Sequence, residues 1–159
     1  MVIRTPRQYF LAAGCADGAT PLNSFDAALL AAGVGDTNIV KMTSILPPRC
    51  QPVDPVKLPY GALVPVAYAA ITGDLPGEVL AAAVAIAIPK DPERPGLIME
   101  YSARGHREEA DEIVRSMARQ GLEHRGLELD RIESIATQHR VGRIGSAFAG
   151  VVLWDDRDL

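Results

Sequence analysis

The segment V-L-A-A-A-V-A-I-A-I-P, Val79 to Pro89, carries no charged or hydrogen-bonding side chain. A run of this kind is stable only where water is excluded from it, and periodicity alone does not separate a buried strand from a buried helix. Its short length and the β-branched Val84, Ile86 and Ile88 in its second half select a strand. It falls far short of the ~20 residues that a membrane span requires. The rest of the chain must therefore supply the elements that bury it.

Gln8 to Gly14 reads as a first strand, and C-A-D-G-A-T-P after it is turn chemistry. A helix follows, with Thr20 before Pro21 as an N-cap precedes N1, or with Asn23 as a competing start. Leu22, Phe25, Leu29 and Ala32 fall at three- and four-residue spacing and predict its buried stripe, and Gly33 and Gly35 supply the stop. Asp36 to Ser44 reads as a strand, and Tyr60 to Thr72 as a long one in which Pro65 predicts an edge position or a bulge. Leu97 to Ala103, Arg131 to Val141 and Gly145 to Trp154 complete the strands, and D-D-R-D-L reads as a frayed tail. His106 to Leu122 is the clearest helix. Its stripe is Ala110, Ile113, Val114, Met117 and Ala118, with Asp111 and Arg115 placed as an i,i+4 pair. Two helices and about six strands in mixed order predict an α+β domain whose helices cover sheet faces.

The 159 residues read as a single domain, large enough to bury roughly 70% of the surface its unfolded chain would expose. The net charge is −4 and no Lys or Arg run makes a basic stripe, so neither nucleic acid nor an anionic membrane is an expected partner. A cationic substrate suits the acidic balance. The N-terminal M-V-I-R-T-P-R lacks an apolar signal core, which predicts a cytoplasmic protein. Cys15 and Cys50 are too few for a disulfide framework, and with His106, His124 and His139 they make no metal signature, so no metal is expected.

Chemistry concentrates in K-M-T-S-I-L-P-P, Lys41 to Pro48. Pro47 biases Leu46 toward extended geometry and neither proline can continue a central strand, so the chain is held stiffly just past Ser44. In such a corner the Ser44 hydroxyl can attack the peptide bond before it, turning an amide into an ester. The ester can hydrolyse to leave a serine N-terminus, or eliminate to leave a pyruvoyl group. The plainer alternative is that Thr43 and Ser44 satisfy backbone groups at a strand end. On a regular strand Asn38 shares a face with Ser44, at about 20 Å, so the two would share a site only through a bend or a neighbouring subunit.

Two carboxylates stand out. Asp26 lies four residues from both Leu22 and Leu30, on or beside the expected buried face, where it would need a partner; it also suits first-turn capping. Glu100 interrupts L-I-M-E-Y-S-A between Met99 and Tyr101. It is either the outward residue of an alternation or an acid set in apolar surroundings.

Several segments, in order and at matching spacing, resemble the pyruvoyl-dependent arginine decarboxylase family. They are T-P-L-N-S-F-D-A-A-L-L-A-A-G-V-G, N-I-V-K-M-T-S-I-L-P-P, K-L-P-Y-G-A-L-V-P-V-A-Y, A-I-P-K-D, G-L-I-M-E-Y and R-G-L-E-L-D-R-I-E-S-I-A, covering about Gln8 to Trp154. The resemblance implies autocatalytic serinolysis between Thr43 and Ser44, giving a β chain of residues 1–43 and an α chain of residues 44–159. It implies a covalent pyruvoyl cofactor made from Ser44, without metal or PLP, that decarboxylates L-arginine to agmatine through a Schiff base. It places Glu100 as the catalytic acid and Asn38 as a processing and active-site residue. Asp26 becomes the guanidinium partner, with Leu29, Gly35, Thr37 and Ile45 lining the pocket. Two positions depart from the family pattern: Thr43, where the family usually has Ser, and Thr37, where it is usually apolar. The implied architecture is a four-layer αββα sandwich with mixed or antiparallel sheets, assembled as a homotrimer or a dimer of trimers with active sites between subunits.

Competing readings remain at this stage. They are a pyruvoyl decarboxylase of another amino acid such as histidine, an N-terminal nucleophile hydrolase, and an uncleaved trimeric scaffold or regulatory protein.

Overall fold

The computed structural model describes residues 4–155. In chain order the elements are β1 (Gln8–Asp17), α1 (Pro21–Ala31), β2 (Asn38–Lys41), β3 (Ile45–Leu46), β4 (Gln51–Pro52), β5 (Leu63–Gly73), β6 (Val79–Pro89), β7 (Gly96–Arg104), α2 (Arg107–His124), β8 (Leu129–Arg140) and β9 (Gly145–Trp154). The strands form a five-stranded sheet of order β2-β5-β9-β1-β4 and a four-stranded sheet of order β3-β7-β6-β8. The first is mixed, since β2 and β4 run parallel to their neighbours while β5, β9 and β1 alternate; the second is antiparallel throughout.

The Val79–Pro89 run is β6, and its two faces explain its composition. Leu80, Ala82, Val84 and Ile86 point between the sheets, where they meet Tyr9, Ile98, Val151 and Leu153. Ala81, Ala83, Ala85 and Ala87 point the other way and pack under Val114, Ala118 and Leu122 of α2. Large side chains fill the gap between sheets, while alanines let the helix lie close. Each fully buried Leu, Ile or Val contributes roughly 1.5–3 kcal/mol. On the far side of the five-stranded sheet, Ala28 of α1 closes over Phe10, Val66, Phe148 and Val152. The layers are therefore helix, sheet, sheet, helix, as the resemblance implied. Among the described residues no helix is long and apolar enough to cross a membrane.

The structure corrects several expectations. The strand expected over Asp36 to Ser44 stops at Lys41, and the chain then crosses from one sheet to the other. Pro65 is on an inner strand, but the pairing of β5 with β9 begins only at Val66, so Pro65 faces Val40 of β2 on one side alone. Thr20 caps α1, its hydroxyl accepting from Asn23 N–H at 3.1 Å. The helix buries Ser24 and Ala28 and leaves Leu22 75% exposed. The reason is close packing: a Cβ on Gly14 of β1 would sit 2.4 Å from the Ala28 carbonyl oxygen, so only small residues fit that face. Ser24 is tied down by a chain of hydroxyls, buried at Ser24 and Ser146 and exposed at Thr72: Ser24 Oγ to Ser146 Oγ at 2.7 Å and Ser146 Oγ to Thr72 Oγ1 at 2.6 Å. In α2, Arg115 donates to Ser134 Oγ at 2.8 Å across to β8 rather than pairing with Asp111. Asp155, expected in the frayed tail, is buried and paired with Arg7 at 3.4 Å; residues 156–159 of that tail lie outside the described residues.

Candidate active site

β2 ends because the chain must change sheets. Met42 N–H donates to Val66 O at 3.0 Å, the last bond to the five-stranded sheet, and Ile98 N–H donates to Ser44 O at 2.7 Å, the first bond to the other. The Thr43–Ser44 amide lies between these two anchors and belongs to neither ladder. β3 then pairs Ile45 with Leu97 and Leu46 with Gly96, and Pro47 and Pro48 end it at once, as their chemistry requires. Thr43 is exposed and Ser44 half-buried. Among the described residues neither hydroxyl has a hydrogen-bond partner, so the alternative in which they satisfy backbone groups at a strand end finds no support.

Ser44 and Thr43 line an open cavity of about 540 Å³ together with Lys41, Met42, Ile98, Met99 and Glu100. Glu100 is not the outward residue of an alternation. It shares a face of β7 with Ile98, a member of the core between the sheets, and with Ser102, which donates to Ala70 O of the opposite sheet at 3.3 Å. Met99 and Tyr101 take the α2 side. Glu100 Oε1 is 3.2 Å from Lys41 Nζ. Its Oε2 is buried without a hydrogen-bond partner among the described residues. A buried carboxylate oxygen left unsatisfied carries a free-energy cost, which a reacting group can relieve.

The remaining residues named from the sequence lie elsewhere in the chain. Asp26 is exposed on α1 between Leu22, 75% exposed, and Leu30, 52% exposed, not on the buried face. Leu29 packs half-buried against the core beneath α1. A Cβ on Gly35 would meet the Leu30 side chain and backbone at 2.7 Å. Thr37 Oγ1 donates to Val34 O at 2.7 Å, and Asn38 Nδ2 donates to Gly61 O at 3.0 Å. Ile45 follows Ser44 and is 41% exposed. One chain therefore brings Thr43, Ser44, Ile45 and Glu100 together and holds Asp26, Leu29, Gly35, Thr37 and Asn38 as a separate group around α1 and the start of β2. Lys41 was missed from the sequence; the signal was a lone cation three residues before Ser44 in an otherwise apolar I-V-K-M.

The model of the family described as pyruvoyl-dependent arginine decarboxylase matches residues 8–158. The chain belongs to that family. The pyruvoyl-dependent arginine decarboxylase of Methanocaldococcus jannaschii is 52% identical over 151 residues, covering 95% of this chain and 92% of that one. That of Methanococcus aeolicus is 49% identical over the same coverage. That of Thermococcus kodakarensis is 40% identical, covering 94% of this chain and 96% of the relative. Among solved structures, a pyruvoyl-dependent histidine decarboxylase at pH 8 superposes with a TM-score of 0.53 at 16% identity, over 62% of this chain. The chain spans about half (53%) of that protein's length, and the likeness is one of fold.

The crossover fits the cofactor that the family name implies. A pyruvoyl group is the altered N-terminus of a chain cut before a serine, and Ser44 stands after an amide free of both sheets, with an uncommitted hydroxyl and a cavity beside it. Among the described residues no group of three or more His, Cys, Asp or Glu side chains is placed to hold a metal ion.

Proposed function

We propose that this chain decarboxylates L-arginine to agmatine and CO₂ with a pyruvoyl group made from its own Ser44. The observation that carries the reading is the Thr43–Ser44 junction, strung between two sheets over the cavity that Glu100 lines, in a chain 52% identical to a pyruvoyl-dependent arginine decarboxylase. The Ser44 hydroxyl attacks the Thr43 carbonyl carbon, and the carbonyl oxygen takes up the displaced charge until the C–N bond breaks and an ester remains. Elimination of that ester leaves residues 1–43 with a new carboxylate and residues 44–159 with a dehydroalanine end; this tautomerises to an imine, which water hydrolyses, so that the Ser44 nitrogen departs as ammonia and the pyruvoyl end remains. Only the Thr43 carbonyl takes part, so threonine serves where the family usually has serine.

The pyruvoyl group supplies an electron sink beside the substrate's α-carbon, which lets the carboxylate leave as CO₂. The protein's residues do the rest. Glu100 returns a proton to the α-carbon from its place in the cavity wall. Asp26 pairs with the guanidinium through both oxygens, a geometry that suits a planar fork of donors. Leu29, Gly35, Thr37 and Ile45 shape the pocket, and Asn38 contributes an amide to processing and to the site.

Because the α1 group and the Ser44 cavity are separate within one chain, the site is completed between subunits. The exposure of Leu22, Leu30, Val40 and Leu63 around α1 and the β2 edge supports a surface covered by another copy. We assign a homotrimer, alone or paired, as the assembly that closes it. Intact mass spectrometry of the purified protein tests the reading. The expected result is two chains divided at 43/44, the longer with a blocked N-terminus, releasing CO₂ from arginine and not from histidine. A single unbroken chain with an unmodified Ser44 overturns it, and a free serine N-terminus replaces it with a hydrolase.

A further inference from the structure

We propose that Lys41 is a positioning residue that decides which oxygen of Glu100 delivers the proton consumed in each turnover. The inference rests on Glu100 being the acid, as argued above. Lys41 is the last residue of β2, in one sheet; Glu100 is on β7, in the other. The Lys41 ammonium lies 3.2 Å from Glu100 Oε1, donates to Tyr68 O at 3.2 Å, and sits 4.3 Å from the centre of the Tyr68 ring. A carbonyl and an aromatic face thus hold it from β5 while it holds the carboxylate.

An ammonium has three donors and no acceptor. A proton on Oε1 pointing at Nζ would meet another donor, so the carboxyl O–H belongs on Oε2. Oε2 is the oxygen that is buried and unpartnered among the described residues. Loss of CO₂ leaves an electron pair for the α-carbon, and that carbon takes one proton to become the CH₂ of the product. When the O–H bond at Oε2 breaks, its electron pair stays on Glu100, which becomes a carboxylate facing a fixed cation. One proton taken up through the cavity that Glu100 lines restores the acid before the next turnover.

The test uses the self-cleaved protein with Lys41→Met, Lys41→Arg and Glu100→Gln. The chain has three lysines, so ¹⁵N-lysine spectra report Nζ directly. A protected ammonium signal is expected in the wild type, absent in Lys41→Met and displaced in Glu100→Gln. Lys41→Met should cleave normally and lose about tenfold or more in kcat, part of the factor a general acid supplies, with the arginine KM nearly unchanged. Lys41→Arg should restore most of it. Wild-type kcat in Lys41→Met, beside an inactive Glu100→Gln, overturns the role of Lys41 and leaves Glu100 in place. Wild-type kcat in Glu100→Gln removes both. A Lys41→Met chain that stays uncleaved, or whose KM rises as far as kcat falls, also overturns it, with Lys41→Gln repeating the measurement if methionine disturbs folding.

Discussion

Ile98 N–H donates to the Ser44 carbonyl at 2.7 Å, so Ser44 is fastened by its backbone to β7, two residues before Glu100. The Ser44 hydroxyl and the Glu100 carboxyl are thus held on one frame, and the frame does not depend on the Glu100 side chain. Glu100→Gln should fold and self-cleave as the wild type does. Its decarboxylation should fall by roughly 10²–10⁴, the usual contribution of a general acid. A denaturing gel and a CO₂ assay on the same preparation check both halves, and undiminished CO₂ release would take Glu100 out of the reaction.

Asp26 sits on the exposed face of α1, apart from the Ser44 cavity. Substrate binding and self-processing should therefore separate when it is changed. Asp26→Ala is expected to leave the extent of cleavage alone and raise the arginine KM by about 10-fold or more, the loss of a charge-assisted bidentate pair. An unchanged KM would mean that another acid receives the guanidinium.

What the sequence disclosed and withheld follows from which forces act locally. β6 was legible to the residue, because a strand buried on both faces leaves no polar position to blur its ends. Thr20 was legible as a cap because an N-cap acts over three residues. For α1 the spacing placed Phe25, Leu29 and Ala32 against the core as they are found, but it also suggested Leu22, which is exposed, and it missed that Ser24 and Ala28 go deepest, where Gly18 and Gly14 let the helix backbone come close. The break after Lys41 was hidden for a similar reason. N-I-V-K-M-T-S has nothing against continuing as a strand, and only the second sheet, through Ile98, draws Ser44 away. The sequence marked Ser44 by chemistry and by its prolines, but the Lys41–Glu100 pair joins residues 59 positions apart, which no local pattern announces.

The approach of α1 to β1 makes Gly14 a position where one methyl group matters. In Gly14→Ala the added Cβ would lie 2.4 Å from the Ala28 carbonyl oxygen and 2.5 Å from the Ala32 nitrogen, both backbone atoms that cannot swing aside. The helix must lift, at a cost of about 1–3 kcal/mol, and it carries Asp26 with it. Thermal denaturation should register the lower midpoint. Arginine binding should weaken while Ser44, anchored to the other sheet, still processes. A variant as stable as the wild type would show that α1 is free to move.

Tyr9 places a phenol between the sheets, almost wholly buried, donating to Glu133 Oε2 at 2.6 Å. Burial first, and then the bond and the charge of Glu133, push its ionisation well above the ordinary value of 10.0. The native state therefore keeps this proton at a pH where the unfolded chain has begun to lose it. By linkage, the stability that neutral Tyr9 contributes is complete below the unfolded value, near pH 10, and declines as pH rises from there toward the folded value. Denaturant titrations of wild type and Tyr9→Phe across pH 8 to about 11 separate this effect from general alkaline unfolding. At pH 8 Tyr9→Phe should be less stable by about 1.5–3 kcal/mol for the lost bond to a charged acceptor. The gap should narrow above pH 10, and a gap that stays constant would mean that the phenol ionises alike in both states.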